Sequence, residues 1–218
     1  MQGWSRKTLS NQARHRIDWL RTMGFIKLEN GFHFLSESGW NFVLQHPPEL
    51  IAIQKHEINK QEKLITNSVL KPFKPFEVIE KTSSLRQAFA RDRAFRIVVV
   101  SQYDYYCAVC NLKLPNPNGI YLAEAAHIIP KRNQGSDDPR NGICLCGNCH
   151  WAFDEGIISV KPEQLTIMTA SYLKKTEPQE TPQKYIKYNG KKLRNVIDNN
   201  YLPSKIALEW HNQEIFLG

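Results

Sequence analysis

Two Cys-x-x-Cys pairs constrain the fold of this chain more than any other feature of its sequence. The pairs are Cys107/Cys110 and Cys146/Cys149, and they hold four of the five cysteines. Each pair can present two thiolates on one side of a turn, so the two pairs together can close a tetrahedral shell around Zn²⁺. The alternative is two separate redox or buried cysteine pairs. The fifth cysteine, Cys144, lies in the apolar run Gly-Ile-Cys-Leu and is predicted to be a small buried residue.

An ordered set of polar residues lies in the same stretch. His127 ends a strand-like run, and Asn141 precedes a second short apolar run. His150 and Asp154 are four residues apart where a helix is predicted to begin, so their side chains would share one face. Such a pair can hold one divalent cation, and His127 across the hairpin can deprotonate a water beside a metal-bound phosphate. The alternative is a pair of structural, hydrogen-bonding histidines.

The order of residues in this stretch matches a known sequence motif. The chain reads Ala-Ala-His-Ile-Ile-Pro at 125–130, Asn-Gly at 141–142 and Leu-Cys-Gly-Asn-Cys-His-Trp-Ala-Phe-Asp-Glu-Gly at 145–156. In order, spacing and cysteines it resembles the HNH endonucleases, also called ββα-metal nucleases, and particularly a bacterial branch of restriction endonucleases. The resemblance runs from about residue 85 to the C terminus. It implies a ββα-metal domain that is stabilised by a structural Zn²⁺.

The resemblance also implies a role for each polar residue. His127 would be the general base, and His150 and Asp154 would bind the catalytic Mg²⁺ or Mn²⁺. Asn141 would either brace the loop behind His127 or join the metal shell, since members of the superfamily do both. Together with the four cysteines, these residues make up the expected catalytic and metal-binding set.

One position departs from the family pattern. Many relatives place an Asp or His metal ligand directly before the general base, and this chain has Ala126 there. Glu124 lies two residues away on the same strand face and is a candidate substitute. Its other interpretation is a solvated strand carboxylate.

Charge and composition fit a polyanionic partner. The 218 residues carry a formal net charge of +8 and a pI of about 9.2, which supports nucleic acid only together with the motifs. No apolar run approaches the roughly 20 residues that span a bilayer, and the N terminus lacks a signal-peptide core. We therefore expect no membrane partner and a cytoplasmic, bacterial location, where reduced cysteines favour zinc over disulfides.

The sequence predicts an α+β chain with three parts. Residues 1–48 resemble part of a winged helix, with a helix, a hairpin around Asn30-Gly31 and a second short helix. A full winged helix needs further helices before these, so either the N terminus is truncated or a partner subunit completes the domain. Arg14, Arg16 and Arg21 are candidate phosphate contacts, with a solvated basic face as the alternative.

Residues 49–83 are predicted to form a connector, an amphipathic helix followed by a Pro-rich linker at 71–76. Residues 84–218 would be the nuclease domain, opening with a helix from Ser84. Its Arg91, Arg93 and Arg96 are candidates for a phosphate clamp, or else for surface ion pairs. Further on, we expect strands at 157–160 and 165–168, a polar loop at 174–184, and a final helix after Ser204 with His211 as a structural residue.

The sequence therefore predicts a divalent-metal-dependent DNA endonuclease of the restriction type, with dependence on base modification left open. One such site cuts one strand at a time, so a homodimer is one alternative for cutting both strands. The competing functions are a catalytically inactive, zinc-stabilised DNA-binding module or regulator, and an HNH nuclease that acts on RNA or on structured DNA.

Overall fold

The computed structural model describes residues 4–5, 17, 20–29, 32–38, 47–77, 85–117, 119, 121–174 and 185–218. The chain divides into two compact units, Met1–Lys55 and His56–Gly218. Within the described ranges, no helix is long and apolar enough to cross a membrane.

The N-terminal unit contains a small antiparallel sheet with strand order β1-β3-β2. Its strands are β1 (Trp4–Ser5), β2 (Ile26–Glu29) and β3 (Phe32–Leu35). Glu29 pairs with Phe32, so two residues join β2 to β3, as the Asn-Gly signal predicts. Arg21 is exposed, whereas Arg14 and Arg16 lie outside the described residues. The winged-helix assignment stays a prediction.

Among the residues that the structure describes, the C-terminal unit carries the remaining strands and most of the helical residues. In chain order the elements are α1 (Pro47–Ser68, which begins in the first unit), α2 (Leu85–Gln102), β4 (Glu124–His127), β5 (Gly142–Leu145), α3 (Gly147–Asp154), β6 (Ile158–Lys161), β7 (Thr166–Thr169) and α4 (Lys205–Glu214). Short 3₁₀ turns lie at Lys131–Asn133, Pro139–Asn141, Ser171–Lys174 and Asn199–Tyr201. These bounds confirm the predicted helices after Ser84 and Ser204 and the two predicted strands. Residues 175–184, most of the predicted polar loop, lie outside the described ranges.

A two-stranded hairpin followed directly by a short helix forms the centre of this unit. Strands β4 and β5 are antiparallel, with His127 opposite Gly142. A Cβ on Gly142 would come within 2.6 Å of Val99 and 2.9 Å of Phe95, so only glycine lets α2 pack this closely on the hairpin. The glycine of the Asn-Gly pair is thus required by helix packing.

The core lies between α2 and the hairpin. Phe95 and Val99 on α2 are buried at helical spacing, and they meet the fully buried Ile128, Ile129 and Ile143. Burying a side chain of this size contributes about 1.5–3 kcal/mol each. The hairpin that carries His127 is therefore fixed to α2 by apolar packing.

The C-terminal helix α4 fastens the end of α3. His211 on α4 is 1% exposed, stacks on Phe153 with 3.8 Å between ring centroids, and lies 3.1 Å from the Phe153 carbonyl oxygen through Nε2. The other nitrogen, Nδ1, is 2.8 Å from the Ser159 hydroxyl. Every polar atom of this ring has a protein partner, in keeping with the structural role predicted for it.

The segment predicted as a linker lies along the loop between β4 and β5. Phe76 forms an antiparallel bridge with Gly135, and the backbone N–H of Ser136 donates to the Pro75 carbonyl over 3.1 Å. Arg140 adds hydrogen bonds of 3.0 Å to the carbonyls of Ser68 and Lys71. We call residues 71–77 the strap, because these contacts tie the chain after α1 to the hairpin loop.

Candidate metal centre and active site

The four cysteines of the two Cys-x-x-Cys pairs meet at one point. All four Sγ atoms lie within 4.8 Å of one another, and Cys110 and Cys146 are 3.7 Å apart. A tetrahedral Zn²⁺ with Zn–S bonds of about 2.3 Å would space its sulfurs by about 3.8 Å. Cys107 and Cys110 follow α2, whereas Cys146 and Cys149 lie at the start of α3. The cluster can therefore bind a structural metal that joins these elements, as the sequence predicts.

Two of the thiols are biased toward the thiolate that binds metals. Hydrogen bonding, first with Cys107, lowers the pKa of Cys110 to about 7 and also lowers that of Cys146, whereas hydrogen bonds within the same cluster raise the pKa values of Cys107 and Cys149. Cys144 lies apart from the cluster with no exposed surface, and burial raises the pKa of its thiol to about 12. It is the buried residue that the sequence predicts.

His150 and Asp154 lie side by side on the partly exposed face of α3. Nε2 of His150 is 3.5 Å from Oδ2 of Asp154, close to the separation of two ligands on one cation. The Nδ1 atom of the same ring is 2.8 Å from Oε2 of Glu124 on β4. This hydrogen bond lowers the pKa of Glu124 and raises the pKa of His150.

The geometry gives Glu124 a different position from the substitute ligand considered above. Its carboxylate contacts the imidazole nitrogen that points away from Asp154, so it holds the ring rather than adding a third ligand beside the pair. A carboxylate on the second nitrogen commonly orients a metal-binding histidine in this way. His150 and Asp154 are thus the described residues that fit a divalent cation at this face, as one imidazole and one carboxylate.

His127, at the end of β4, is held on two sides. Its ring stacks on Phe95 with 3.9 Å between centroids and 12° between planes. Nε2 is 2.9 Å from Oδ1 of Asp137, a side chain only 5% exposed. Nδ1 makes no hydrogen bond with any residue that the structure describes. Because an ionised carboxylate can only accept, Nε2 carries the hydrogen, and in the neutral form of the ring Nδ1 has the lone pair.

Asp137 is kept ionised by its neighbours. Burial alone would raise the pKa of this carboxyl, but the hydrogen bond with His127 and the charge of Lys131 outweigh it and lower the pKa. The Lys131 ammonium lies 2.5 Å from Oδ2, and Arg91 lies 3.9 Å away. The loop therefore supplies His127 with a buried, charge-compensated acceptor.

Two roles are predicted for Asn141, bracing the loop behind His127 or joining the metal shell, and its contacts are those of a brace. It has no exposed surface, and its Oδ1 accepts from the Ile129 N–H over 2.9 Å. Its Nδ2 donates to the carbonyls of Ile129 at 3.1 Å and Ser136 at 2.9 Å. The side chain thus closes the loop that carries Asp137.

The three described arginines of α2 do not gather into one clamp. Arg91 lies near Asp137 and 4.0 Å from Glu77. Arg93 and Arg96 line a groove on another side of the helix, and Arg96 donates to the Ala123 carbonyl over 3.0 Å. Their role as phosphate contacts stays a prediction.

Sequence reasoning missed Asp137 and Phe95 as parts of the site. In the run Gly-Ser-Asp-Asp-Pro at 135–139, Asp137 resembles a turn former, and its neighbour Asp138 does have that role: it caps the 3₁₀ turn and pairs with Arg140 at 2.6 Å. The available signal was the pair of adjacent aspartates: one of them is enough to cap the turn, so the other is left for a different role. Phe95 resembled any other apolar residue on the buried face of α2.

The hairpin that carries His127, followed by the helix that carries His150 and Asp154, has the order of elements expected for a ββα-metal domain. Residues 107–161 match the family model for HNH endonucleases, which confirms the resemblance seen in the sequence. The match covers this segment alone, so the comparison shows an HNH endonuclease-like segment within the chain.

Among solved structures the chain is similar to a modification dependent TagI restriction endonuclease, at 18% sequence identity and a TM-score of 0.41. The match covers 56% of this chain and 37% of that one, so this chain spans well under half of that protein. No curated protein matches the sequence.

Proposed function

We propose that the chain is a divalent-metal-dependent DNA endonuclease of the restriction type, with His127 as its general base. One observation carries the proposal: one nitrogen of His127 hydrogen-bonds to a buried carboxylate and the other has no partner among the described residues, beside a helix that presents His150 and Asp154. A scaffold alone needs the four cysteines, but it has no need for this arrangement. The net charge of +8 favours a polyanionic substrate.

The proposed proton transfer follows from the orientation of His127. Nδ1 takes a proton from the attacking water, and the ring becomes an imidazolium. Asp137 then faces a full positive charge at Nε2, so the carboxylate stabilises the protonated base. The activated water attacks the phosphorus in line with the leaving 3′ oxygen. The P–O3′ bond breaks and the leaving oxygen takes a proton from solvent, so the products are a 5′ phosphate and a 3′ hydroxyl.

His150 and Asp154 would hold Mg²⁺ or Mn²⁺. Such an ion, when bound, supplies positive charge against the scissile phosphate and the leaving oxygen. Glu124 keeps the His150 ring oriented, and Ala126 adds no side-chain ligand, so the protein contributes a small ligand set. The four cysteines would hold Zn²⁺, which takes no part in the reaction because its four positions are filled by thiolates.

DNA would contact the chain through its arginines. Arg91, Arg93 and Arg96 lie on α2, next to the hairpin, and the proposed winged-helix part would add Arg14, Arg16 and Arg21.

A second function is favoured by one observation, the missing ligand at Ala126: a zinc-stabilised DNA-binding module without activity. The restriction proposal includes two alternatives: the enzyme acts as a homodimer or as a monomer, and it cuts modified or unmodified DNA.

The experiment that tests the proposal compares the parent protein with His127→Ala. Each is incubated with Mg²⁺ or Mn²⁺ and with unmodified, methylated and hydroxymethylated DNA. General-base removal is expected to cost about 10²–10⁴-fold in cleavage rate without loss of DNA binding. His56→Ala, an exposed histidine on α1, is the matched control and should cut normally.

Each other outcome has a definite meaning. Equal cleavage by the parent and His127→Ala would refute His127 as the base. Binding of DNA by both proteins without cleavage of any substrate would favour the inactive module. Cleavage of modified DNA alone would identify a modification-dependent enzyme.

A further inference from the structure

A groove beside the candidate active site is not used by the mechanism above. It has a volume of about 420 Å³ and lies between α2 and the segment that leads into β4. One wall is formed by Arg93, Arg96 and Ile97, and the other by Tyr105, Tyr121 and Ala123. The three α2 residues share one helix face because they are three and four positions apart.

The charge in the groove is positive and partly fixed in place. Arg96 donates one N–H to the Ala123 carbonyl, and this hydrogen bond anchors a guanidinium that has five donors in total. Neither Arg93 nor Arg96 forms a salt bridge with any residue in the described part of the chain. The nearby carboxylate of Glu124 is already engaged by His150. An incoming anion would therefore meet two arginines without a competing partner.

The opposite wall offers an ordered aromatic surface. Tyr105 and Tyr121 stack with 4.4 Å between ring centroids and 24° between planes. Lys113 lies 5.5 Å from the Tyr121 ring and 5.9 Å from the Tyr105 ring, and Asp104 holds its ammonium at 3.0 Å. Tyr105 has a φ of 62°, a costly conformation for a residue with a side chain, which the stack and its surroundings maintain.

The place and size of the groove point to one ligand class. Ala123 directly precedes Glu124, whose carboxylate binds His150, so the groove adjoins the start of the strand that orients His150. Its volume falls in the range of small-molecule sites, about 300–1,000 Å³, and a double helix is far larger. Arginines next to stacked aromatic rings match the anionic phosphate and flat base of a single nucleotide.

We propose that this groove binds one unpaired nucleotide of the DNA strand being cut. Its base packs against Tyr121 and Ile97, and its phosphate contacts Arg93 and Arg96. The inference rests on the proposed nuclease function. It implies that the enzyme takes a nucleotide out of the duplex next to the cleaved bond, at the cost of unstacking that base.

The test is a double-mutant cycle between a tyrosine and a DNA base, measured by binding. His127→Ala protein, with and without Tyr121→Ala, is titrated with one duplex and with a series in which each nucleotide near the cut is made abasic in turn. At one position, Tyr121→Ala should weaken binding of the intact duplex about tenfold, as expected for a stacked base, and leave binding of the abasic duplex unchanged. At every other position the two changes should be additive.

Controls separate stacking from charge and from folding. Tyr172→Ala, an exposed tyrosine outside the groove, should show no coupling at any position. Arg93→Ala should weaken intact and abasic duplexes equally and reduce the dependence of log K on log salt by about one. Lys161→Ala, an exposed charge on β6, should leave that dependence unchanged.

The cycle can fail separately from the nuclease proposal because it measures binding alone. Additive effects at every position would refute the groove proposal, even if the parent protein cuts DNA. Coupling at one position together with an inactive parent would support nucleotide binding in the groove but refute the endonuclease, and with it the link between that nucleotide and a cut strand. Absence of any DNA binding by His127→Ala would refute the groove proposal and the expectation that this variant keeps its DNA affinity.

Discussion

At the scale of single residues, the same arrangement is found twice. His127 and His150 each have a carboxylate on one ring nitrogen, Asp137 at 2.9 Å and Glu124 at 2.8 Å. In each case the carboxylate fixes the ring and leaves the other nitrogen available. One of these free nitrogens lies beside Asp154 and suits a cation, whereas the other lacks a described partner and suits a proton.

Replacing Asp137 by Asn tests the first carboxylate. The amide is nearly the same size but carries no charge to stabilise the imidazolium, so we expect kcat to fall about tenfold to hundredfold with little change in KM. Steady-state cleavage kinetics at saturating Mg²⁺ would measure both constants. Glu163→Gln, which removes an exposed carboxylate that pairs with Lys205, should leave both unchanged. An unaltered kcat in Asp137→Asn would show that the carboxylate has no part in catalysis.

His211 makes the stability of the C-terminal unit depend on pH. Burial lowers its pKa from 6.5 to about 4 in the folded protein. The unfolded chain therefore binds more protons between these values, and the free energy of unfolding falls as the pH drops from 6.5 toward 4. This shift in pKa predicts that the free energy of unfolding is about 2 kcal/mol lower at pH 5 than above pH 7.

Urea unfolding at about pH 7.5 and pH 5 measures this loss. The metal centre also weakens in acid because thiolates become protonated, so the informative quantity is the difference between the parent and His211→Gln. The variant should be less stable at the higher pH and lose about 2 kcal/mol less on acidification. An equal loss in both proteins would show that His211 does not titrate in this range.

At the scale of elements, the sequence predicted the features that depend only on the spacing of residues close together in the chain. The hairpin, the helix that starts at the second cysteine pair, and the grouping of the four cysteines all follow from one short stretch, because residue order there sets the geometry directly. The strap at 71–77 did not follow, since Pro-rich segments resemble linkers until their partners are known. Its contacts with Gly135 and with Arg140 join residues more than 50 positions apart. Asp137 was missed for a related reason, because only the folded loop brings it to His127.

Substitution of one cysteine tests whether the metal centre holds these elements together. Cys146→Ser should lose bound zinc and at least about 3 kcal/mol of stability, because the shell joins the turn after α2 to the start of α3. Metal content by mass spectrometry and a thermal melt by circular dichroism would show both effects. Cys144→Ala is the matched control: it removes a buried thiol outside the cluster and should keep the metal. A melt of Cys146→Ser identical to that of the parent would exclude a structural metal.

At the scale of the whole molecule, the two units have different expected tasks. The C-terminal unit contains the metal centre, both oriented histidines and the groove, so the proposed chemistry needs nothing from Met1–Lys55. The N-terminal unit would add affinity through the proposed winged-helix contacts. Helix α1 belongs in part to each unit, and its Ile58 and Ile65 pack with the C-terminal core. Any division of the chain must therefore leave α1 whole.

A fragment from residue 47 to 218 separates the two tasks. We expect it to fold, to keep the metal centre and to cleave DNA with an unchanged kcat, because every side chain of the proposed mechanism lies within it. KM should rise and depend less on salt, since the phosphate contacts proposed for Arg14, Arg16 and Arg21 are gone. Cleavage kinetics at low and moderate salt would resolve kcat from KM. A fragment with the same KM as the full chain would mean that the N-terminal unit does not contact DNA, and a fragment without a cooperative melt would mean that the C-terminal unit depends on its partner to fold.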